Sequence, residues 1–89
     1  MFQIEERDRT SGYYEDTVCQ YEVKSDLNRV RVEEEVKKYL KEHHEPTRTY
    51  GEWKTAVRAD AGYYYSGYFT IKHMSGERYI VETVRPSAE

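Results

Sequence analysis

Two segments at the start of the chain alternate between apolar and polar residues, as half-buried strands do. The first covers residues 2–9 and the second residues 17–24, and the segment between them contains Gly12. Phe2, Ile4 and Glu6 share one face of the first segment, and Cys19, Tyr21 and Val23 share one face of the second. Two alternating runs around a glycine-containing turn predict a β-hairpin with a longer loop.

The period then changes to that of an amphipathic helix. Apolar and aromatic positions recur at the spacing i, i+4, i+7, i+8 and i+11, at Val32, Val36, Tyr39, Leu40 and His43. This stripe predicts a helix over residues 29–44 that ends before Pro46. The helix carries two Glu-before-Lys pairs at i, i+4, which we expect to form ion pairs. They are Glu33–Lys37 and Glu34–Lys38.

Residues 47–61 allow two interpretations. One is a strand at 53–58 with Trp53, Thr55 and Val57 on one face. The other is a helix that begins with a capping box and has Tyr50, Trp53 and Val57 on one face. We favour the strand, because Gly51 weakens the first turn of the helix and Trp and β-branched residues suit a sheet.

The last third of the chain predicts a second hairpin. Residues 67–74 and 78–84 are rich in β-formers, and Ser75-Gly76-Glu77 forms the turn between them. The fold class is therefore α+β: a hairpin, one amphipathic helix packed on one sheet face, then two or three antiparallel strands (ββαβββ). The predicted core adds Trp53, Phe69, Ile71 and one face of 79–84 to the helix stripe. We expect a single domain over 1–89 with a frayed tail at 86–89.

Composition narrows the class of protein. The 89 residues are 35% charged and 37% hydrophobic, with 10 Tyr, and this aromatic content argues against disorder. A net charge of −3 gives no general attraction to phosphate backbones or anionic membranes. One cysteine, no leader-like apolar run and no span of about 18 apolar residues predict a cytoplasmic protein without a membrane partner.

The first half of the chain resembles the ubiquitin-like β-grasp pattern, in which a hairpin is followed by a helix that crosses its face. The residues that carry this topological resemblance are Phe2–Arg9, Thr17–Lys24 and Ser25-Asp26-Leu27 leading into the Val32, Val36 and Leu40 stripe. The tyrosine-rich second half departs from it. The opening also looks like small uncharacterised proteins of bacterial mobile elements, through the segment FQIEERDRTSGYYEDTVCQYEV.

Catalytic and metal-binding chemistry is weakly represented. The softest metal ligands, Cys19, His43, His44 and His73, lack the close paired spacing of a zinc site. Cys19 falls on a predicted inward strand face, where a cysteine behaves as a small hydrophobe. Glycine-rich phosphate loops are absent. We therefore predict no metal, no cofactor and no enzymatic activity.

Tyrosines around two turn regions are the most informative feature. Consecutive tyrosines on a strand cannot all face one core, and tyrosine is enriched at protein interfaces. They are equally able to flank the sheet and cover a small core. The candidate partner-binding residues are Tyr13, Tyr14, Tyr63, Tyr64, Tyr65 and Tyr68. An acidic companion patch is expected from Glu15, Asp16 and Asp60.

These patterns favour a small protein-interaction domain, an accessory or inhibitor protein of a mobile element, that binds an unknown protein through the tyrosines. A homodimer through a sheet edge is a related hypothesis. The first alternative is binding of single-stranded nucleic acid, in which tyrosines stack on bases. Its candidate cations are Arg58, Lys72, Arg78 and Arg85. The second alternative is a small enzyme.

Overall fold

The computed structural model describes residues 1–11, 17–59 and 67–85. In chain order its elements are β1 (Phe2–Ser11), β2 (Thr17–Ser25), α1 (Arg29–Glu42), α2 (Tyr50–Ala59), β3 (Tyr68–Ser75) and β4 (Arg78–Arg85). The strands form one antiparallel sheet in the order β1-β2-β4-β3, so β2 and β4 are central. The predicted α+β class, both hairpins and the helix on one sheet face are confirmed. The expected fraying of 86–89 lies outside the described residues.

The two central strands supply the middle of the core. Their register places Cys19 opposite Thr83, Tyr21 opposite Val81 and Val23 opposite Tyr79, and all six residues are buried. The face of β4 that completes the core, which the sequence left open, is the one that carries Tyr79, Val81 and Thr83. The side chains between them point to the outer face of the sheet, away from the core.

Helix α1 covers this inward face with part of the predicted stripe, since Tyr39 is only half-buried and His43 is exposed at the end of the helix. Val32, Val36 and Leu40 are fully buried, and they join Phe69 and the inward residues of β2 and β4 in one cluster. The helix begins where the Asn28 side chain accepts a hydrogen bond from the Arg31 N–H at 3.0 Å.

Two backbone hydrogen bonds close the C-terminal end of α1. The N–H of Glu45 donates to the Leu40 carbonyl, and the N–H of His44 donates to the Lys41 carbonyl. His44 adopts a left-handed φ of 60° between them. This is the Schellman arrangement, which ends a helix before the following proline, here Pro46.

The predicted strand at 53–58 is wrong, because residues 50–59 form α2. The Thr49 carbonyl accepts from the Trp53 N–H at 2.8 Å, and the Thr49 hydroxyl accepts from the Glu52 N–H at 3.4 Å. The Glu52 carboxylate also accepts from the Lys37 ammonium at 3.1 Å, which ties α2 to α1. These contacts outweigh the low helix propensity of Gly51. Within the described residues the sheet therefore has four strands, with two after α1 and not the three that the sequence also allowed.

Strand β1 contains a bulge between Glu6 and Asp8. Glu6 lies opposite Tyr21, while Arg9 lies opposite Cys19, so both side chains fall on the inward side of the sheet although they are three residues apart. Arg7 is the extra residue, and its guanidinium lies 3.9 Å from Glu22. The bulge therefore places a carboxylate and a guanidinium beside the only cysteine.

Candidate functional site

The start of α2 is attached to the outer edge of β3. The N–H of Phe69 donates to the Arg48 carbonyl at 2.8 Å, and Thr49 forms a parallel bridge with Phe69. This attachment sets Tyr50 and Trp53, which are three residues apart on α2, beside Tyr68 at the start of β3. Backbone contacts of two elements thus bring three aromatic residues together.

Tyr50, Trp53 and Tyr68 form what we call the aromatic cluster. Ring centroids of Trp53 and Tyr68 lie 4.7 Å apart, and those of Tyr50 and Tyr68 lie 5.3 Å apart with an edge-on angle of 64°. The rings of Tyr50 and Trp53 are stacked at 6.4 Å. These are the separations at which aromatic pairs attract one another. The cluster is therefore a mutually supported unit.

One ring of the aromatic cluster faces solvent. Tyr50 is 45% exposed, whereas Trp53 and Tyr68 are half-buried. The Lys54 ammonium lies 5.3 Å from the centre of the Tyr50 ring, within the range of a cation–π contact. The buried Trp53 Nε1–H finds no acceptor among the described residues. The cluster thus offers an aromatic surface at Tyr50, while the Trp53 donor lies beneath it, away from solvent.

Of the six tyrosines predicted to bind a partner, the structure describes one. Tyr68 is half-buried and belongs to the aromatic cluster. The other predicted residues lie outside the described residues, and they are Tyr13, Tyr14, Tyr63, Tyr64, Tyr65, Glu15, Asp16 and Asp60. Sequence reasoning did not place Tyr50 and Trp53 in the site. The signal for them was the helical alternative at 47–61, which puts both residues on one face.

The structure corrects the predicted core at one residue. Trp53 was expected to complete the core under α1, but it packs against Tyr50 and Tyr68 at the edge of the sheet. Phe69, in contrast, is fully buried as expected, and Ile71 packs partly buried against the core.

Two of the four cations predicted for nucleic-acid binding are engaged in ion pairs. Arg78 contacts the Glu22 carboxylate at 2.9 Å, and Arg85 contacts Glu45 at 3.5 Å and donates to the His44 carbonyl. Lys72 is exposed on the outer face of the sheet. The side chain of Arg58 lies outside the described residues.

Cys19 lies in a polar setting that keeps its thiol protonated. The residue is 1% exposed, and its Sγ donates to Glu6 Oε2 at 2.7 Å. Burial, followed by this hydrogen bond, raises the pKa of the Cys19 thiol. The same hydrogen bond is the main cause that lowers the pKa of Glu6. An activated cysteine needs the opposite shift, so this geometry does not prepare Cys19 for nucleophilic attack.

The histidines make local contacts. His43 stacks on Tyr39 with centroids 4.0 Å apart, and its Nδ1–H donates to the Tyr39 carbonyl. His73 donates through Nε2 to the Gly76 carbonyl at 2.9 Å. Within residues 1–11, 17–59 and 67–85, no three His, Cys, Asp or Glu side chains lie close enough to hold a metal ion.

Comparisons of the chain with models of protein families, with curated proteins and with solved structures find no match in any of the three. The resemblances to β-grasp domains and to mobile-element proteins therefore stay predictions. Of the helices that the structure describes, neither has the length and apolar character needed to cross a bilayer.

Proposed function

We propose that this chain is a small non-enzymatic protein-interaction domain that binds a protein partner through a tyrosine-rich surface. The observation that carries the proposal is the aromatic cluster, in which Tyr50 presents a 45% exposed ring on a base of Trp53 and Tyr68. Tyrosine and tryptophan are enriched at the centres of interfaces, since each adds a large contact area and one hydrogen bond at low entropic cost.

Two contacts that hold α2 in position beside α1 and β3 support this role. The helix is attached to α1 by the Lys37–Glu52 ion pair and to β3 by the Phe69 N–H bond to Arg48. A surface held in place before binding loses less conformational freedom when the partner arrives. A domain that acts by binding fits the expected accessory or inhibitor role in a mobile element, and that role is part of the proposal.

Binding of single-stranded nucleic acid is less well supported. It needs cations that are free to follow a phosphate backbone, and Arg78 and Arg85 are already paired with carboxylates. An enzymatic role has less support still, because the buried Cys19 thiol has a raised pKa.

The test is a pull-down from a native lysate, with and without nuclease, using immobilised wild-type chain and a Tyr50→Ala/Tyr64→Ala variant. Tyr50 is chosen over Tyr68 because truncation of the half-buried Tyr68 also removes packing. We expect the wild type to retain a protein partner after nuclease treatment, and the variant to lose most of it.

A Val30→Ala/Met74→Ala variant is the matched control, since these two apolar side chains are 65% and 48% exposed outside the aromatic cluster. It should capture the partner as well as the wild type does. Equal capture by the tyrosine variant, with an unchanged thermal melt, would refute the tyrosine surface. Loss of all capture after nuclease would instead favour nucleic acid.

A further inference from the structure

A basic cleft lies between the C-terminal half of α1 and the start of α2. We define the basic cleft by the residues that line it, which are Lys37, Lys38, Lys41, Thr47, Arg48 and Glu52. Its volume is about 490 Å³. Four cations and one carboxylate leave a surplus of three positive charges in this concavity, although the whole chain carries a net charge of −3. The local charge of the cleft is thus opposite in sign to the net charge of the chain.

The two ion pairs expected within α1, all of whose residues are described, do not form in the structure. Glu33–Lys37 and Glu34–Lys38 were predicted. Instead, Lys37 pairs with Glu52 at 3.1 Å and Glu34 pairs with Arg31 at 3.5 Å.

The remaining cations of the basic cleft are available to a ligand. Lys38, Lys41 and Arg48 form no ion pair with any residue in the described ranges, and all three are exposed. The hydrogen bond from Lys37 lowers the pKa of Glu52, so the single carboxylate of the cleft is ionised and already satisfied by that lysine.

The basic cleft and the aromatic cluster share one stretch of chain. Arg48 and Glu52 line the cleft, while Tyr50 and Trp53 from the same stretch form the cluster. Lys54 extends the positive charge over the Tyr50 ring. Tyr50 lies two residues from Arg48 and two from Glu52 along the chain, so a segment that follows the start of α2 can contact both surfaces.

We propose that the basic cleft binds an acidic segment of the protein partner, while the aromatic cluster contacts an apolar side chain of the same segment. The inference rests on the proposed function and adds the chemistry of the partner to it. Complementary charge of this kind fixes the orientation of a partner and speeds its association.

The length of the basic cleft favours a short peptide segment over a nucleic acid. Lys37 to Lys41 spans about 6 Å along α1 at 1.5 Å per residue. Acidic residues bound this stretch, at 33–35 before it and at Glu42 after it. The three cations that are unpaired within the described ranges, Lys38, Lys41 and Arg48, match a segment with two or three acidic side chains, whereas a nucleic-acid strand carries a charge at every nucleotide and needs a longer track of cations to follow.

The test is fluorescence anisotropy of a fluorescein-labelled nonapeptide, which has a central Phe flanked by Glu residues, titrated with the full chain. A second peptide with Gln in place of Glu and an oligothymidylate of equal length are measured in parallel. We expect the Glu peptide to bind, the Gln peptide to bind at least about tenfold more weakly, and added salt to weaken the Glu complex.

Charge reversal locates the binding. A Lys38→Glu/Lys41→Glu variant should lose about tenfold or more in affinity for the Glu peptide. The matched control is Lys24→Glu/Lys72→Glu, which makes the same change in net charge at two exposed lysines of the outer sheet face and should change affinity less than about twofold. A Lys38→Gln/Lys41→Gln variant, with circular dichroism of each protein, separates loss of binding from loss of folding.

Three results would overturn the inference: no binding of the Glu peptide by the wild type, equal loss in both charge-reversed variants, or tighter binding of the oligothymidylate. These failures differ from failure of the proposed function. If the peptide does not bind but the Tyr50→Ala/Tyr64→Ala variant still loses its captured protein, the aromatic surface stands and only the acidic chemistry is wrong. If that variant keeps its protein, the tyrosine surface is wrong.

Discussion

Gly67 occupies a crowded position just before β3. Its φ of 107° lies in a region that residues with a side chain rarely adopt. A Cβ atom built there would lie 2.6 Å from the Val84 carbonyl oxygen and 2.8 Å from Pro46 Cγ. Gly67 therefore allows the chain to pass between the end of β4 and the segment after α1, and both backbone conformation and space require a glycine.

We predict that Gly67→Ala destabilises the protein by about 1–3 kcal/mol, from the backbone conformation and the contact with Val84 together. The control is Gly51→Ala, because Gly51 lies in α2 with no atom within 4 Å of its would-be Cβ. Alanine there should be neutral or add up to about 1 kcal/mol through its higher helix propensity. Urea denaturation of both variants measures the difference, and an equal effect of the two substitutions would contradict this account.

At the scale of elements, the bulge leaves Arg7 of β1 without an opposite residue on β2. On both sides of Arg7 the inward positions already match inward positions of β2, with Glu6 opposite Tyr21 and Arg9 opposite Cys19. The β2–β4 pairing, in contrast, has an unbroken register from Thr17 to Lys24. A shift of one residue in a regular strand turns its side chains to the other face.

Deletion of Arg7 should therefore leave the fold intact and change the free energy of unfolding by no more than about 1 kcal/mol. It removes only a 3.9 Å contact with Glu22 and regularises the ladder. Deletion of Gln20 from β2 should abolish folding, since it turns the side chains of one half of this central strand to the opposite face of the sheet. Circular dichroism and thermal melting test the pair, and an unfolded Arg7 deletion would show that the bulge itself is required.

The elements also show what a sequence can and cannot determine. The α1 stripe is a local pattern, so Val32, Val36 and Leu40 were placed correctly, whereas the alternation of β4 left open which of its two faces is buried. Helix α2 was only the second of two interpretations, because Gly51 counted against the local cap at Thr49 and the distant partners of the helix cannot be seen in the sequence. Lys37 binds Glu52 from 15 residues away, and Tyr68 packs on Trp53 from the next strand. The exposure of Tyr50 follows from the same contacts and was equally inaccessible to periodicity.

At the scale of the whole molecule, three acidic groups in or beside the core are held in their neutral forms. Burial is the largest cause that raises the pKa of the Cys19 thiol and of the Tyr21 and Tyr39 phenols. A group whose pKa is higher in the folded state stabilises the fold fully below its unfolded pKa, and this stabilisation is lost as the pH rises towards the folded pKa.

We therefore predict that stability falls on the alkaline side. The decline should begin near pH 8.5, the ordinary pKa of a thiol, and steepen near pH 10, where unfolded phenols ionise. In a Cys19→Ala variant the first part of the decline should disappear, whatever the cost of the smaller side chain. Urea denaturation from pH 7 to pH 11 measures both curves, and the same onset in both proteins would refute the role of the thiol.

Trp53 is the only tryptophan of the chain. Because it lies in the aromatic cluster, with the Tyr68 ring 4.7 Å away, its emission reports on the contact between α2 and β3 and on no other part of the molecule. The protein thus carries an intrinsic optical probe at the surface proposed to meet its partner. Excitation of the indole alone can follow docking there without a label, while absorbance by the tyrosines follows the remaining structure.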